Sequence, residues 1–212
     1  MENKSYAKMF LWLFIGLLIT FVGGYSLSLN EVLLSNILMV GYIPIIIIEL
    51  LIAILLGVRI QKMKPITTKI CYIIFSITTG ITFSIIFLKF ELASIMSIFL
   101  VCSILFAILA FIGYTTKKDI TKLGTILFVS LIGVILLGIV NIFLHSSMLE
   151  LGLSVLGLLI FMGYVVYDMK NVKLLIDSIG DEKAAVYGAF QLYLDFINMF
   201  IRLLELFGKK KN

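Results

Sequence analysis

Long apolar stretches, separated by short charged connections, make up nearly the whole chain. An apolar run of about 20 residues is long enough to cross a bilayer as a helix. Short segments of alternating polarity, which would indicate a membrane β-barrel, do not occur. The pattern therefore predicts seven membrane-spanning helices, at about residues 7–29, 32–58, 70–88, 93–114, 123–144, 148–168 (or as far as 176) and 184–207.

Composition supports the same fold class. Hydrophobic residues make up 62% of the chain and charged residues only 14%, which excludes a soluble domain. We therefore expect an all-α integral membrane protein with one transmembrane domain over residues 1–212. The net charge of +5 does not indicate a nucleic-acid partner, because lysines in the inner loops set membrane topology. The expected surroundings are a lipid bilayer.

Basic residues alternate between connections and predict the orientation. They cluster at the N-terminus and in the second, fourth and sixth connections, which places the N-terminus in the cytoplasm of a multi-pass cell-membrane protein. The C-terminal run Lys209–Lys211 conflicts with this rule, since seven crossings would place it outside. The last segment is long enough to span, so a full crossing is favoured over a re-entrant helix.

Two aspartates stand out in the last two apolar segments. Asp195 lies among residues that could all face hydrocarbon, and a carboxylate there indicates a functional site unless it is paired or protonated. Asp168 precedes it across a turn near position 181. Residues equidistant from the turn of a helical hairpin lie at similar depth, so the two carboxylates could face each other in the inner half of the membrane.

Such a pair could sense protons and bind cations. Two carboxylates in a low-dielectric site cannot both ionise cheaply, so one proton would be shared between Asp168 and Asp195 near neutral pH. When ionised, both offer the hard oxygen ligands that Ca²⁺ prefers. Arg59, at the inner end of the second segment, could latch one carboxylate, because its guanidinium binds carboxylates bidentately.

Three further polar residues are candidates for supporting roles. Glu49 and Arg202 could form an ion pair across two helices, either to fix helix register or to serve function, since charges within membranes normally pair. Asn198 lies one turn from Asp195 on the same helix face and is expected to orient or bridge helices. The tyrosines near the aspartates are expected to pack or mark the membrane interface.

The run Tyr193-Leu-Asp-Phe-Ile-Asn198 and the run Tyr164-Val-Val-Tyr-Asp168 resemble the transmembrane Bax inhibitor motif family, especially its bacterial members. Shorter matches, in the expected order, are Gly80-Ile-Thr82, Lys117-Lys-Asp119 and Asn141-Ile-Phe143. The resemblance implies seven helices with the seventh central and the other six around it. It also implies a pH-sensitive calcium leak, without a cofactor, in which Ca²⁺ is the permeant or bound ion.

The resemblance also implies roles for individual residues. The family's paired aspartates map onto Asp168 and Asp195, its arginine latch onto Arg59, and the glutamate of its second segment onto Glu49. Other relatives carry a basic residue near Glu205, whereas this chain has Arg202 instead. The resemblance therefore leaves open which charges pair at the outer end of the last segment. Calcium as the ion rests on the family, whereas the carboxylate pair also follows from the residues.

Other functions remain open from sequence. A proton-coupled cation transporter could use the same carboxylates, although no internal repeat of the kind common in transporters is visible. A non-catalytic regulator of partner proteins is a further alternative. Partners other than ions and lipid are unknown, and a monomer would suffice. An enzyme is not expected, because the chain has a single histidine, His145, and neither GxSxG nor HExxH.

Overall fold

The computed structural model describes residues 2–41 and 43–211, which form eight α-helices. They are α1 (Glu2–Ser28), α2 (Glu31–Val40), α3 (Ile43–Arg59), α4 (Pro65–Lys89), α5 (Leu92–Thr115), α6 (Thr121–Leu144), α7 (Ser147–Ile179) and α8 (Asp181–Phe207). A 3₁₀ turn, Ile60–Lys62, follows α3. Among the described residues, seven helices are long and apolar enough to cross a membrane, which confirms the predicted all-α membrane fold.

The second predicted segment, 32–58, is wrong as a single helix. Gly41 interrupts it with a φ of 84°, a left-handed conformation that glycine adopts at little cost. Pro44 is the second residue of α3, where its missing N–H removes no helical hydrogen bond. Proline therefore begins a helix here instead of kinking one. With the 3₁₀ turn, α3 forms a span of 20 residues by itself.

The sixth span extends well beyond residue 168. α7 has 33 residues, a length of roughly 50 Å, and ends only at Gly180, whose φ is 79°. The hydrocarbon core of a bilayer is about 30 Å thick. Its end at Ile179 lies three residues past the alternative bound of 176 and eleven past the bound of 168. Apolar periodicity marks the stretch that needs lipid, but it does not show where the backbone stops being helical.

The helices form two compact units. Unit 1 contains the described residues of 1–92, 172–193 and 210–212, and unit 2 contains residues 93–171 and 194–209. Helices α7 and α8 contribute residues to both. The last helix is the most buried, since 72% of its apolar stretch is inside the protein, against 6% for α6. This burial agrees with the central position expected for the seventh span.

Unit 1 is built on close packing between α1 and α4. A Cβ atom on Gly24 would lie 2.8 Å from the carbonyl oxygen of Gly80, so the two backbones touch at this point. Small residues allow such approach where lipid provides no hydrophobic force between helices. Phe21 packs edge-to-face on Phe83, with ring centroids 5.2 Å apart.

Unit 2 packs around the second half of α8. The Phe196 ring lies 5.4 Å from that of Phe99 and 5.5 Å from that of Phe106, both on α5. α5 also lies close to α7, because a Cβ atom on Gly113 would lie 2.5 Å from the carbonyl oxygen of Val166. These contacts pack α7 and α8 against α5 and so position the polar residues that they carry.

Contacts within unit 1 show that α8 crosses the full length of α4. At its start, Glu182 forms an ion pair with Lys69 in the second turn of α4. Past its end, Lys210 pairs with Phe90, directly after α4. α4 has 25 residues, roughly 37 Å, which is enough to cross a bilayer. The last segment is therefore a full crossing, as favoured from the sequence, and not a re-entrant helix.

Candidate functional site

Asp168 and Asp195 lie on the two helices that meet at Gly180. Asp168 is twelve residues before this glycine and Asp195 fifteen residues after it, roughly 18 and 22 Å along their helices. The turn lies one residue from its predicted position. Both aspartates belong to unit 2, so the structure brings these two predicted site residues into one packed unit.

The two carboxylates are buried and interact. Asp168 is 9% exposed and Asp195 only 4%, and they are near enough for the charge of Asp168 to act on Asp195. The Oδ2 atom of Asp195 is buried and has no hydrogen-bond partner among the described residues. A buried acceptor without a partner is costly, and more so when it is charged. A proton or a cation at this position would remove that cost.

The side chains beside the pair are mostly apolar. Val165 and Met169 flank Asp168 and are buried, as are Leu192 and Phe196 near Asp195. Such surroundings strengthen the interaction between two charges, because they contain little that can screen it. Two ionised carboxylates would therefore repel each other strongly at this site.

Tyr164 is a member of this site that sequence reasoning assigned to packing or to the interface. It lies one helical turn before Asp168, and its phenol is near enough to interact with the charges of both aspartates. The available signal was the spacing of four residues, which places Tyr164 and Asp168 on one face of α7. A phenol can donate a hydrogen bond to a carboxylate, so Tyr164 could orient the pair.

The described residues contain no group of three or more His, Cys, Asp and Glu side chains that could hold a metal ion. Ca²⁺ takes six to eight oxygen ligands, and Asp168 and Asp195 would supply only part of that shell. Water would have to supply the rest. The arrangement fits brief contact with a hydrated cation better than tight retention of a structural ion.

Arg202 has a different partner from the one predicted. Its Nη1 atom donates to Glu205 Oε2 at 2.8 Å, and Ser154 of α7 donates to the same oxygen at 2.8 Å. Glu205 lies three residues along α8, on the same helix face, so this pair forms without any tertiary contact. The predicted Glu49–Arg202 pair is thus corrected: Glu49, in unit 1, has the hydroxyl of Thr82 beside it at 3.4 Å.

Asn198 bonds to its own helix. Its Nδ2 atom donates to the carbonyl oxygen of Leu194 at 2.7 Å. With Asp195, Arg202 and Glu205 it follows a spacing of three, four and three residues, which places all four on one face of α8. This polar face, visible in the sequence, extends from the aspartate pair to the Arg202–Glu205 pair.

Arg59 does not belong to the same unit as Asp168 and Asp195. It is the last residue of α3 and is exposed, and it belongs to unit 1. An exposed guanidinium at a helix end has a long side chain free to reach for a partner. Its role as a latch stays a prediction.

Comparison with known proteins identifies the family. A model of the family described as "Inhibitor of apoptosis-promoting Bax1" matches residues 2–212. The chain belongs to the Bax inhibitor family. It is 36% identical to the inner membrane protein YbhL of Escherichia coli K12, over 97% of this chain and 91% of YbhL. The family resemblance inferred from the aspartate motifs is therefore confirmed.

Two other bacterial relatives are similar over most or all of this chain. An uncharacterized protein of Borreliella burgdorferi is 33% identical over 100% of this chain and 94% of its own. An uncharacterized membrane protein of Streptococcus pyogenes serotype M1 is 33% identical over 77% of this chain and 72% of its own. With seven apolar helices, this Bax inhibitor family member is a multi-pass membrane protein.

Proposed function

We propose that this Bax inhibitor family protein is a non-catalytic, pH-sensitive calcium leak, in which Asp168 and Asp195 bind both protons and the passing ion. The observation that carries the proposal is the buried carboxylate pair, whose Asp195 Oδ2 atom has no hydrogen-bond partner within residues 2–41 and 43–211. A site built only for stability would pair that oxygen with a donor.

Protonation closes the path in this scheme. With a shared proton, the pair carries a single negative charge, or none when doubly protonated, so it attracts water and a divalent cation less strongly than the fully ionised pair does. Loss of the proton leaves two like charges in apolar surroundings, which favours water entry and a hydrated Ca²⁺ between them. The two forms are alternative states whose populations follow pH.

Arg59 is proposed to favour the closed form by holding one carboxylate. Its release would free α3, which is bounded by Gly41 and by the 3₁₀ turn Ile60–Lys62. Charge distribution supports a cytoplasmic N-terminus in the cell membrane. In that orientation, Gly180 and the aspartate end of the α7–α8 hairpin face the cytoplasm, where a pH sensor of this kind would read cytoplasmic acidity.

Calcium flux into liposomes tests the proposal. Purified protein is reconstituted with a calcium indicator inside, and flux is followed across a pH series for wild type, Asp195→Asn and the control Asp177→Asn. Asp177 is exposed near the end of α7. We expect flux that rises with pH in wild type and in the control, and flux that no longer follows pH in Asp195→Asn.

The opposite result removes the site assignment: Asp195→Asn with unchanged flux and an unchanged pH response. A proton indicator inside the same liposomes separates a leak from cation/proton exchange. A leak moves Ca²⁺ down its gradient without obligatory proton counterflow, whereas an exchanger saturates and builds or consumes a proton gradient.

A further inference from the structure

Unit 1 contains a second polar cluster at membrane depth. Its members lie on four helices, each six or more residues from the nearest helix end, and they are Thr20, Glu49, Thr79, Thr82 and Tyr193. Thr20, Thr79 and Tyr193 are buried, and Glu49 is half-buried. The cluster thus combines one carboxyl group with four hydroxyl groups.

The two threonines beside Glu49 have already used their hydrogens. Thr82 Oγ1 donates to the carbonyl oxygen of Thr79 at 2.9 Å, and Thr79 Oγ1 donates to that of Phe75 at 2.9 Å. A hydroxyl group has one hydrogen to donate. The Thr82 hydroxyl also lies 3.4 Å from Glu49 Oε1, to which it could donate in place of the carbonyl oxygen, and Thr79 is a second hydroxyl beside Glu49. We assign each hydrogen to its 2.9 Å bond with the backbone carbonyl oxygen, and in that arrangement both threonines present lone pairs to the carboxyl group.

The remaining hydroxyls offer no donor either. Thr20 Oγ1 donates to the carbonyl oxygen of Ser76 at 3.0 Å. Either oxygen could donate in its contact of 2.5 Å with the Tyr193 hydroxyl. With the Thr20 hydrogen on Ser76, we assign Tyr193 as the donor. The phenol hydrogen is spent on Thr20, although Tyr193 is near enough to interact with Glu49. An ionised Glu49 would thus face oxygen lone pairs from two helices.

No cation offsets the charge of Glu49 among the described residues. The groups that act on it are the hydroxyls of Thr79 and Thr82 on α4 and of Tyr193 on α8. Arg59, on the same helix, is ten residues away, roughly 15 Å along the axis. Arg202 forms its ion pair with Glu205. One hydrogen is missing from the cluster, and a protonated Glu49 would supply it.

We propose that Glu49 is a second proton-binding site, in unit 1, which is neutral in this conformation and shares its proton with the hydroxyl oxygens of Thr82 and Thr79. The carboxyl O–H donates and a threonine oxygen accepts. Loss of the proton would force a threonine to abandon its backbone carbonyl or admit water. The site follows from hydrogen-bond accounting, and it does not depend on whether the protein conducts calcium.

Infrared spectroscopy tests the site directly, because a protonated carboxyl group has a carbonyl stretching band that a carboxylate lacks. The protein is placed in lipid nanodiscs at neutral pH as Asp168→Asn/Asp195→Asn, which removes the aspartate contribution. We expect a carboxylic acid band that Glu49→Gln abolishes. The control Glu150→Gln, at an exposed glutamate in the first turn of α7, should leave the band intact.

Two variants of Thr82 test the sharing of the proton. Thr82→Val has nearly the same shape but cannot accept a hydrogen bond, so the band should move to higher frequency, whereas Thr82→Ser should leave it in place. If the aspartate double variant does not fold, the difference spectrum of wild type minus Glu49→Gln provides the same band. Added Na⁺ or Ca²⁺ at constant pH should leave it unchanged.

Three results overturn the proposal. The first is the absence of a carboxylic acid band that depends on Glu49. The second is a band that Thr82→Val does not shift. The third is a band that disappears when Na⁺ or Ca²⁺ is added at constant pH, since this would show that a metal cation, and not a proton, fills the gap between Glu49 and the hydroxyls.

Discussion

Arg202 and Glu205 form an ion pair along a single helix, with Nη1 and Oε2 2.8 Å apart. The same oxygen accepts a hydrogen bond from Ser154. The pair therefore neutralises itself within α8 and needs no charge from another helix.

This arrangement predicts which charges depend on each other. We expect Arg202→Gln to lower stability by about 1 kcal/mol, since the side chains are about a quarter to a third exposed and only partly screened. Adding Glu205→Gln should recover most of the loss, because it removes the carboxylate left without a partner. Thermal unfolding in detergent measures both effects. Recovery by Glu49→Gln in place of Glu205→Gln would contradict the assignment.

Asp195→Asn should make the folded protein more stable while it disturbs pH-dependent flux. The substitution removes a buried charge whose Oδ2 atom has no hydrogen-bond partner in the described part of the chain, so we expect a gain of about 1–2 kcal/mol at neutral pH. Functional sites commonly hold such unfavourable groups at a cost in stability. A loss of stability in Asp195→Asn would instead indicate that the carboxylate holds helices together.

The contact between Gly24 and Gly80 predicts that even a small side chain at position 24 lowers the stability of the protein. Gly24→Ala places a Cβ atom 2.8 Å from the Gly80 carbonyl oxygen, so α1 must move away from α4 at a cost of about 1–3 kcal/mol. Gly23→Ala is the matched control, because a Cβ atom there meets nothing within 4 Å. Thermal unfolding should separate the two variants, and equal unfolding temperatures would exclude tight packing at Gly24.

Asp119 predicts a pH-dependent contribution to stability outside the membrane. It accepts hydrogen bonds from the backbone N–H and the hydroxyl of Thr121 at 2.9 and 2.7 Å. These bonds, with a smaller contribution from Lys170, hold the pKa of Asp119 below its usual 3.8. Because the folded-state pKa is lowered, the stabilisation is present above pH 3.8 and is lost as pH falls through the folded-state value.

Asp119→Ala should accordingly unfold at a lower temperature than wild type at neutral pH, and the two should converge in acid. Unfolding temperatures measured across a pH series check this, with Asp177→Ala, at an exposed position in α7, as the control. A difference between wild type and Asp119→Ala that stays constant below pH 3.8 would show that the carboxylate charge is not what stabilises the first turn of α6.

The termini should lie on opposite faces of the membrane. Lys69, which pairs with Glu182, also lies over the ring of Trp12 near the start of α1, 6.0 Å from its centroid. The C-terminal tail is at the other end of α4, where the Lys211 N–H donates to Lys89 at 2.9 Å. One variant carries a single cysteine near the N-terminus and another carries one near the C-terminus. A membrane-impermeant thiol reagent added to one side of the membrane should label only one of the two variants. Labelling of both from one side would contradict a full crossing by α8.

The number of spans was predictable because each needs a long apolar run, and lipid enforces that length. The break at Gly41 was not, since a glycine within an apolar run is tolerated in a helix, and only its φ shows where the chain turns. The matching depth of Asp168 and Asp195 was predictable, because the distance of each residue from the turn follows directly from the sequence spacing along its helix.

Side-chain partners were harder to predict than depth. Arg202 had two acidic candidates, and distance along the sequence favoured the nearby Glu205, whereas the general rule of pairing across helices favoured Glu49. Hydroxyl networks such as that of Thr82 and Glu49 leave little trace in sequence, because serine and threonine within membrane helices commonly bond to their own backbone. Partners from other helices appear only once the packing is known.

The ties at both ends of α4 and α8 have a mechanical consequence. Lys69 with Glu182, and Phe90 with Lys210, link the two ends of α4 to residues at the start and just past the end of α8, so a shift of one helix along the other would break both contacts. A rearrangement that keeps both ties must displace a different helix. α3 meets that condition, because it packs against α4 between two points of irregular backbone, and the carboxyl group of Glu49 would move with it.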